Sequence, residues 1–140
     1  VSNQFTLGKN ERLKSRKQIE KLFAEGKSFV VGPFRVYFII NDIPKPIATS
    51  MVNNPLQFGV GVSSKNFKKA VDRNRIKRLT REAWRLQKNN LKEIAKSSGK
   101  QIGVFFIYTG KEKPVYNFVY DKMKTSIEKL IKIFEQQRET

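Results

Sequence analysis

Cysteine and histidine are both missing from the 140 residues. Without cysteine there is no disulfide framework and no thiolate metal site; without histidine the usual general base and metal ligand are gone. A catalytic centre made of protein alone would have to rest on carboxylates or lysine. Acids are themselves scarce, since twelve Asp and Glu face 29 Lys and Arg. They are also scattered, with no D-x-D or E-x-x-E grouping of the kind that gathers a metal or positions a base. No apolar run reaches the ~18–20 residues that cross a bilayer. The opening stretch VSNQFTLGKNERLKSRKQ lacks the apolar core of a signal peptide. These absences set a cytoplasmic protein, with no membrane partner, as the expectation.

What is present is positive charge and enough apolar residues for one core. The net charge is +17 and 39% of residues are hydrophobic, which suits a single domain over 1–140. Such an excess of cations draws polyanions, because the release of their condensed counterions drives association whatever their sequence. The charge is also concentrated. Residues 65–92 hold eleven Lys and Arg against Asp72 and Glu82, a net of +9 in one segment.

Along the chain, residues 1–11 lack periodicity and read as an extended lead-in. A first helix is expected over 12–25, with Ser15 and Gln18 in capping-box spacing, Ile19, Leu22 and Phe23 as its apolar stripe, and Gly26 as a left-handed stop. After Gly32-Pro33, residues 34–41 alternate as a strand, with Phe34, Val36, Phe38 and Ile40 on one face and Arg35, Tyr37 and Ile39 on the other. Three prolines make 42–55 a long connection with room for a short edge strand around 47–51. Alternation resumes at 57–63, where Gly59 and Gly61 leave one face open to close approach by a helix or ligand. A basic helix follows over about 66–95. The apolar run at 101–109 reads as a strand covered on both faces. Pro114 then precedes an amphipathic helix over about 115–137, with Val119, Met123, Ile127, Leu130, Ile131 and Phe134 recurring at three and four. Its stripe is better explained by a sheet that must be covered than by a membrane surface.

At 100° per residue, Ile76, Leu79, Ala83 and Leu86 share one side of the basic helix. Asn74, Arg78, Arg81 and Arg85 gather opposite, flanked by Arg75 and Lys77. A solubilising face mixes signs, whereas only Glu82 relieves this one. The arginine fork can also grip two phosphate oxygens or a base edge. Lys65, Lys68 and Lys69 precede the central turns of this helix, around 73–88, within reach of the same polyanion. Trp84, at the border of the apolar arc, is expected to pack, and Asp72 to favour the positive end of the helix.

The run Lys69-Ala70-Val71-Asp72-Arg73-Asn74-Arg75-Ile76-Lys77-Arg78-Leu79-Thr80-Arg81-Glu82-Ala83-Trp84-Arg85 resembles the signature of the protein subunit of bacterial ribonuclease P. Upstream, Phe58-Gly59-Val60-Gly61-Val62-Ser63 with Lys65 resembles that family's glycine-containing strand, and Arg12-Leu13-Lys14, Phe23 and Gly26 resemble its first helix. The resemblance implies a small α+β sandwich, ribosomal-protein-like, in which a mixed sheet of about four strands packs with three helices around a left-handed βαβ crossover. It also implies that catalysis belongs to a partner RNA, which uses Mg²⁺ to hydrolyse the 5′ leader from precursor tRNA, with no catalytic residue, bound metal or further protein partner required of this chain. Arg73, Asn74, Arg75, Lys77, Arg78, Arg81 and Arg85, with Lys65, Lys68 and Lys69, would then meet the catalytic RNA. A cleft at Ile19, Phe23 and Tyr37, with Arg12 and Lys14, would hold the single-stranded leader, aromatic faces stacking under its bases.

Two other classes are a structured-RNA or ribosome-associated binder without a cleavage role, and a protein-only nuclease, the latter opposed by the scattered acids. Arg73 and Arg78 are both expected to face outward, so replacing the pair by Ala should spare the fold. If about five phosphates of an irregular RNA are neutralised, log K plotted against log salt should slope near −3.5. A nearly flat titration of affinity against salt would contradict the electrostatic reading.

Overall fold

The computed structural model describes residues 12–13, 16–42 and 56–139. Among them the elements run α1 (Arg16–Glu25), β1 (Lys27–Val31), β2 (Phe34–Asp42), β3 (Leu56–Val62), α2 (Ala70–Gln87), α3 (Asn89–Ser97), β4 (Lys100–Tyr108) and α4 (Tyr116–Glu139). The strands form one mixed sheet in the order β1-β2-β4-β3. β1/β2 and β2/β4 are antiparallel, while β3/β4 is parallel. A parallel neighbour requires the chain to return to its starting edge, and α2 and α3 occupy that crossover.

Alternation decides which face is core. Phe34, Val36 and Phe38 of β2, Leu56, Phe58 and Val60 of β3, and Ile102, Val104, Phe106 and Tyr108 of β4 are buried on one side of the sheet. Ile76, Ala83 and Trp84 of α2, Leu91 and Ala95 of α3, and Val119, Met123, Ile127, Leu130 and Phe134 of α4 close over them. Among the described residues the opposite face is covered mainly by α1, and the apolar run of β4 is enclosed less completely there than its sequence suggests. Phe105 on that side stays half-buried.

Four expected boundaries change. Residues 12–13 are not helical: Arg12 bridges Phe58, and the Leu13 N–H donates to the Phe58 carbonyl at 2.7 Å, adding a short parallel segment to the free edge of β3. The fourth strand is β1, which pairs with β2 through a two-residue hairpin. Gly32 supplies the turn's positive φ of 58°, a conformation that favours glycine. The basic helix begins at Ala70 and is divided at Lys88, giving four helices rather than three among the described residues. Asn89 and Asn90 are poor helix formers, and the chain restarts there with Leu91 and Ala95 directed to the core. Residues 1–11, Ser15 of the expected cap and the possible strand at 47–51 lie outside the described residues.

Gly26 is also needed for a different reason. Its φ is not positive, and among the described residues the left-handed glycines are Gly32 and Gly99. A Cβ on Gly26 would lie 2.4 Å from the Leu22 carbonyl oxygen and 2.7 Å from that of Phe38, so the end of α1 sits against β2 with no room for a side chain. Gly26→Ala should therefore cost about 1–3 kcal/mol, the range of an overpacked core. Urea unfolding checks this, and a midpoint equal to that of the parent would show that the α1/β2 approach is loose.

Candidate nucleic-acid interface

The rotation of α2 is fixed by one large ring. Trp84 is only 1% exposed and stacks on Phe58 of β3 with centroids 4.6 Å apart and planes 16° apart. Burying a ring of this size contributes roughly 4–6 kcal/mol at ~25 cal/mol per Å². With Trp84 inward, the buried arc is Ile76, Thr80, Ala83 and Trp84, and the Thr80 hydroxyl donates to the Ile76 carbonyl at 2.8 Å. The arc is turned from the expected one, leaving Leu86 39% exposed. Trp84 itself packs as expected.

This rotation sorts the cations. Asn74, Arg75, Arg78 and Arg81 are exposed, and Lys77 is half-buried. Lys65, Lys68 and Lys69 are exposed on the segment before α2, outside the helix expected to start near 66. Arg85 is engaged with Glu82 one turn earlier, an ion pair that holds the Glu82 carboxyl below its usual range and raises the guanidinium above its own. Asp72 lies in the first turn of α2, where its charge suits the helix end, and pairs with Lys113 at 3.1 Å. Both acids of the basic segment therefore have cationic partners.

Arg73 departs from expectation. It projects at about 60° from Ile76 on the helical wheel, toward the buried side. Its Nη1 donates to the carbonyls of Phe67 and Lys68, both at 2.8 Å. The guanidinium thus ties down the segment entering α2, where Phe67 is buried beside Tyr108. Asn66 fastens the same segment through its Nδ2, which donates to the carbonyls of Thr109 at 3.1 Å and Gly110 at 3.3 Å.

On the open face of the sheet, α1 crosses β2 and β4. Phe23 is 42% exposed and meets Tyr37 edge to face at 4.8 Å and Phe105 at 5.4 Å. The three rings form an accessible aromatic cluster. Phe105 belongs to it although sequence reasoning missed it; alternation with buried Phe106 was the available signal. The space left by Gly59 is filled by this ring rather than by a helix or ligand, since a Cβ there would fall 2.6 Å from Phe105 Cδ2.

Beside the cluster lies a cavity of about 300 Å³ lined by Arg12, Ile19, Gly59, Phe105 and Arg81 among others. Partial burial, and then the proximity of Arg12, lower the pKa of Arg81. Arg81 is thus a shared member: it stems from the basic helix and lines the cleft, two sites that the sequence treats separately. Ile19, Phe23, Tyr37 and Arg12 come together as expected, while Lys14 lies outside the described residues.

An aromatic cleft beside an exposed cationic helix, on a compact α+β scaffold, has the chemistry that suits a single-stranded nucleic acid. The sequence pattern of the Ribonuclease P family matches residues 7–135, and the chain belongs to that family. Its members are protein subunits of a ribonucleoprotein endoribonuclease. The Ribonuclease P protein component of Porphyromonas gingivalis is 37% identical over 123 residues, spanning 88% of this chain and 85% of the relative. That of Chlorobium phaeobacteroides is 31% identical, over 81% and 78%. The solved RNase P protein of Staphylococcus aureus shares the fold, with a TM-score of 0.58 and 21% identity over 84% of this chain and 93% of that one.

Arg73 and Arg78 should separate experimentally. Arg78→Ala should leave the melting temperature unchanged and reduce the salt slope of RNA binding by about 0.7. Arg73→Ala should lose about 1–2 kcal/mol of stability as two charge-assisted hydrogen bonds disappear. Thermal melts that fall equally for both would mean that α2 is rotated differently.

Proposed function

We propose that this chain docks on the catalytic RNA of ribonuclease P through Asn74, Arg75, Lys77 and Arg78, with Lys65, Lys68 and Lys69 extending the surface, and holds the single-stranded 5′ leader of precursor tRNA across Phe23, Tyr37 and Phe105. The RNA carries out the hydrolysis with its Mg²⁺; the protein supplies position and charge. Arg81 carries the reading, because it joins the two surfaces. A strand leaving the RNA bound at α2 enters the cleft past Arg81 and Arg12, whose two guanidinium groups favour a phosphate between them. Beyond that point the rings offer stacking faces, each worth about 1–3 kcal/mol per base. Arg85 and Arg73 serve mainly to order α2 and its entry segment.

The added cations substitute for part of the Mg²⁺ that would otherwise screen RNA from RNA. Cleavage of precursor tRNA by bacterial ribonuclease P RNA at low Mg²⁺ should therefore be strongly stimulated by the protein, and more for a substrate with a leader of several nucleotides than for one with a single leader nucleotide. Absence of stimulation would favour a structured-RNA binder without a cleavage role.

A further inference from the structure

We propose that the free edge of β1, with the flank of α4 beside it, is a docking groove for an extended acidic peptide segment of another protein, which joins the sheet as an added antiparallel strand. RNA hydrolysis does not require this partner; the groove tethers the ribonucleoprotein to a second protein.

The two edges of the sheet are treated differently. The outer edge of β3 is joined by the segment at Arg12 and Leu13, whereas β1 pairs only with β2 among the described residues. The register settles which main-chain groups are open. Val31 and Phe34 flank a two-residue turn and so exchange hydrogen bonds, as do Phe29 with Val36 and Lys27 with Phe38. Ser28 and Val30 therefore direct N–H and C=O away from β2, and no described backbone group meets them. Such a row of donors and acceptors is a template for a further strand.

α4 supplies the wall beside this edge. Running opposite to β1, it sets Lys122 against the turn at Gly32, where a Cβ would lie 3.1 Å from Lys122 Cε, and Lys129 over the Phe29 ring at 5.4 Å. Seven residues of helix rise about 10.5 Å and three of strand about 10 Å, so the two stay side by side. Phe118, 38% exposed beneath the Lys122 ammonium, continues the flank at one end, and half-buried Ile133 continues it at the other. On the helical wheel these four residues fall within about 60°. On the other face of the strand Val30 is 53% exposed.

Charge and main chain together select the occupant. Lys122 and Lys129, with Lys27 at the start of β1, put three ammonium groups along the groove, and none pairs with a described carboxylate. Asp121 and Glu128 lie about 100° further round α4. A second copy would bring the same lysines and a charge of +17, so its edge is repelled from this one. Nucleic acid matches the charge but has no amides to complete a ladder. An antiparallel peptide fits both requirements: residues opposite Ser28 and Val30 pair through their main chain, and the alternate ones carry carboxylates over α4 toward Lys122 and Lys129. Lysine along an edge also serves to prevent pairing, but that role does not call for an exposed valine at its centre beside Phe118 and Ile133. The groove is clear of the basic face of α2 as well. β1 and β3 stand at opposite edges, three strand spacings or about 14 Å apart, and α2 packs over β3 through Trp84.

The test measures binding of a short fluorescein-labelled peptide of alternating valine and glutamate, and of two analogues methylated on either the valine or the glutamate amides. The unmodified peptide should bind the protein and the reconstituted ribonucleoprotein with equal dissociation constants. Methylating the valine amides, which face β1, should weaken binding about tenfold, whereas methylating the glutamate amides, which face away, should change it less than about twofold. Val30→Pro removes an outward N–H and leaves the β1/β2 ladder intact, so it should reproduce the loss with cleavage of precursor tRNA unchanged. Should that variant not fold, the two analogues decide on the parent protein alone. Lys129→Glu should weaken the glutamate peptide and favour one of valine and lysine. Equal binding of both analogues, or the reverse order, overturns the proposal. Displacement of the peptide by ribonuclease P RNA, or a parent dimer that Val30→Pro dissociates, gives the edge to RNA or to a second copy and overturns it too.

Discussion

The stacking of Trp84 on Phe58 is the contact on which the rest of the interface depends. An 18-residue helix carrying this much charge has no intrinsic reason to present one side rather than another. Locking a large ring into the sheet chooses the side. Once Trp84 is inward, Thr80 and Ile76 follow, Arg75 and Arg78 point to solvent, and Arg81 comes over the edge of β3 toward the cleft. Phe58 also accepts, through its carbonyl, the hydrogen bond that fixes Leu13 beside it. A single strand residue therefore aligns the basic helix and one wall of the groove together.

Charge is then distributed by local pairing. Asp72 and Glu82 engage Lys113 and Arg85 within the protein. Arg73 is used to hold the β3-to-α2 connection, joined there by Asn66. A run of arginines that looks uniform in sequence thus divides into residues that build the helix entry and residues that remain available to RNA. The arrangement keeps like charges on a face whose mutual repulsion would otherwise loosen the helix, because the opposite side is anchored by aromatic packing.

Much of this was legible from pattern alone. Period-two alternation marked β2 and the end of β3, and period-three-and-four recurrence marked α4, because each element has one dry face. β1 was not legible: in Lys27–Val31 three apolar residues are consecutive, and the strand lies at the sheet edge, where alternation is weakly enforced. The division at Lys88 was hidden because a buried lysine reads as one more cation of the basic run; here it is 1% exposed. Arg73 was misplaced because its role depends on the carbonyls of Phe67 and Lys68, which become accessible only when the chain bends before Ala70. Gly59 and Gly61 are places of close approach as their pattern indicates, but what approaches them is Phe105, a neighbour set by strand pairing that no local window contains.

The outer side of α2, rather than some other basic part of the surface, is the face we propose for the catalytic RNA. The absence of cysteine permits a direct measurement, since a single introduced thiol can be labelled cleanly with a tethered iron chelate that cleaves nearby RNA. From Asn74→Cys, strand scission in ribonuclease P RNA should be strong and confined to a few sites, whereas Lys124→Cys on the exposed side of α4 should give little. Strong cleavage from position 124 with none from position 74 would contradict the account.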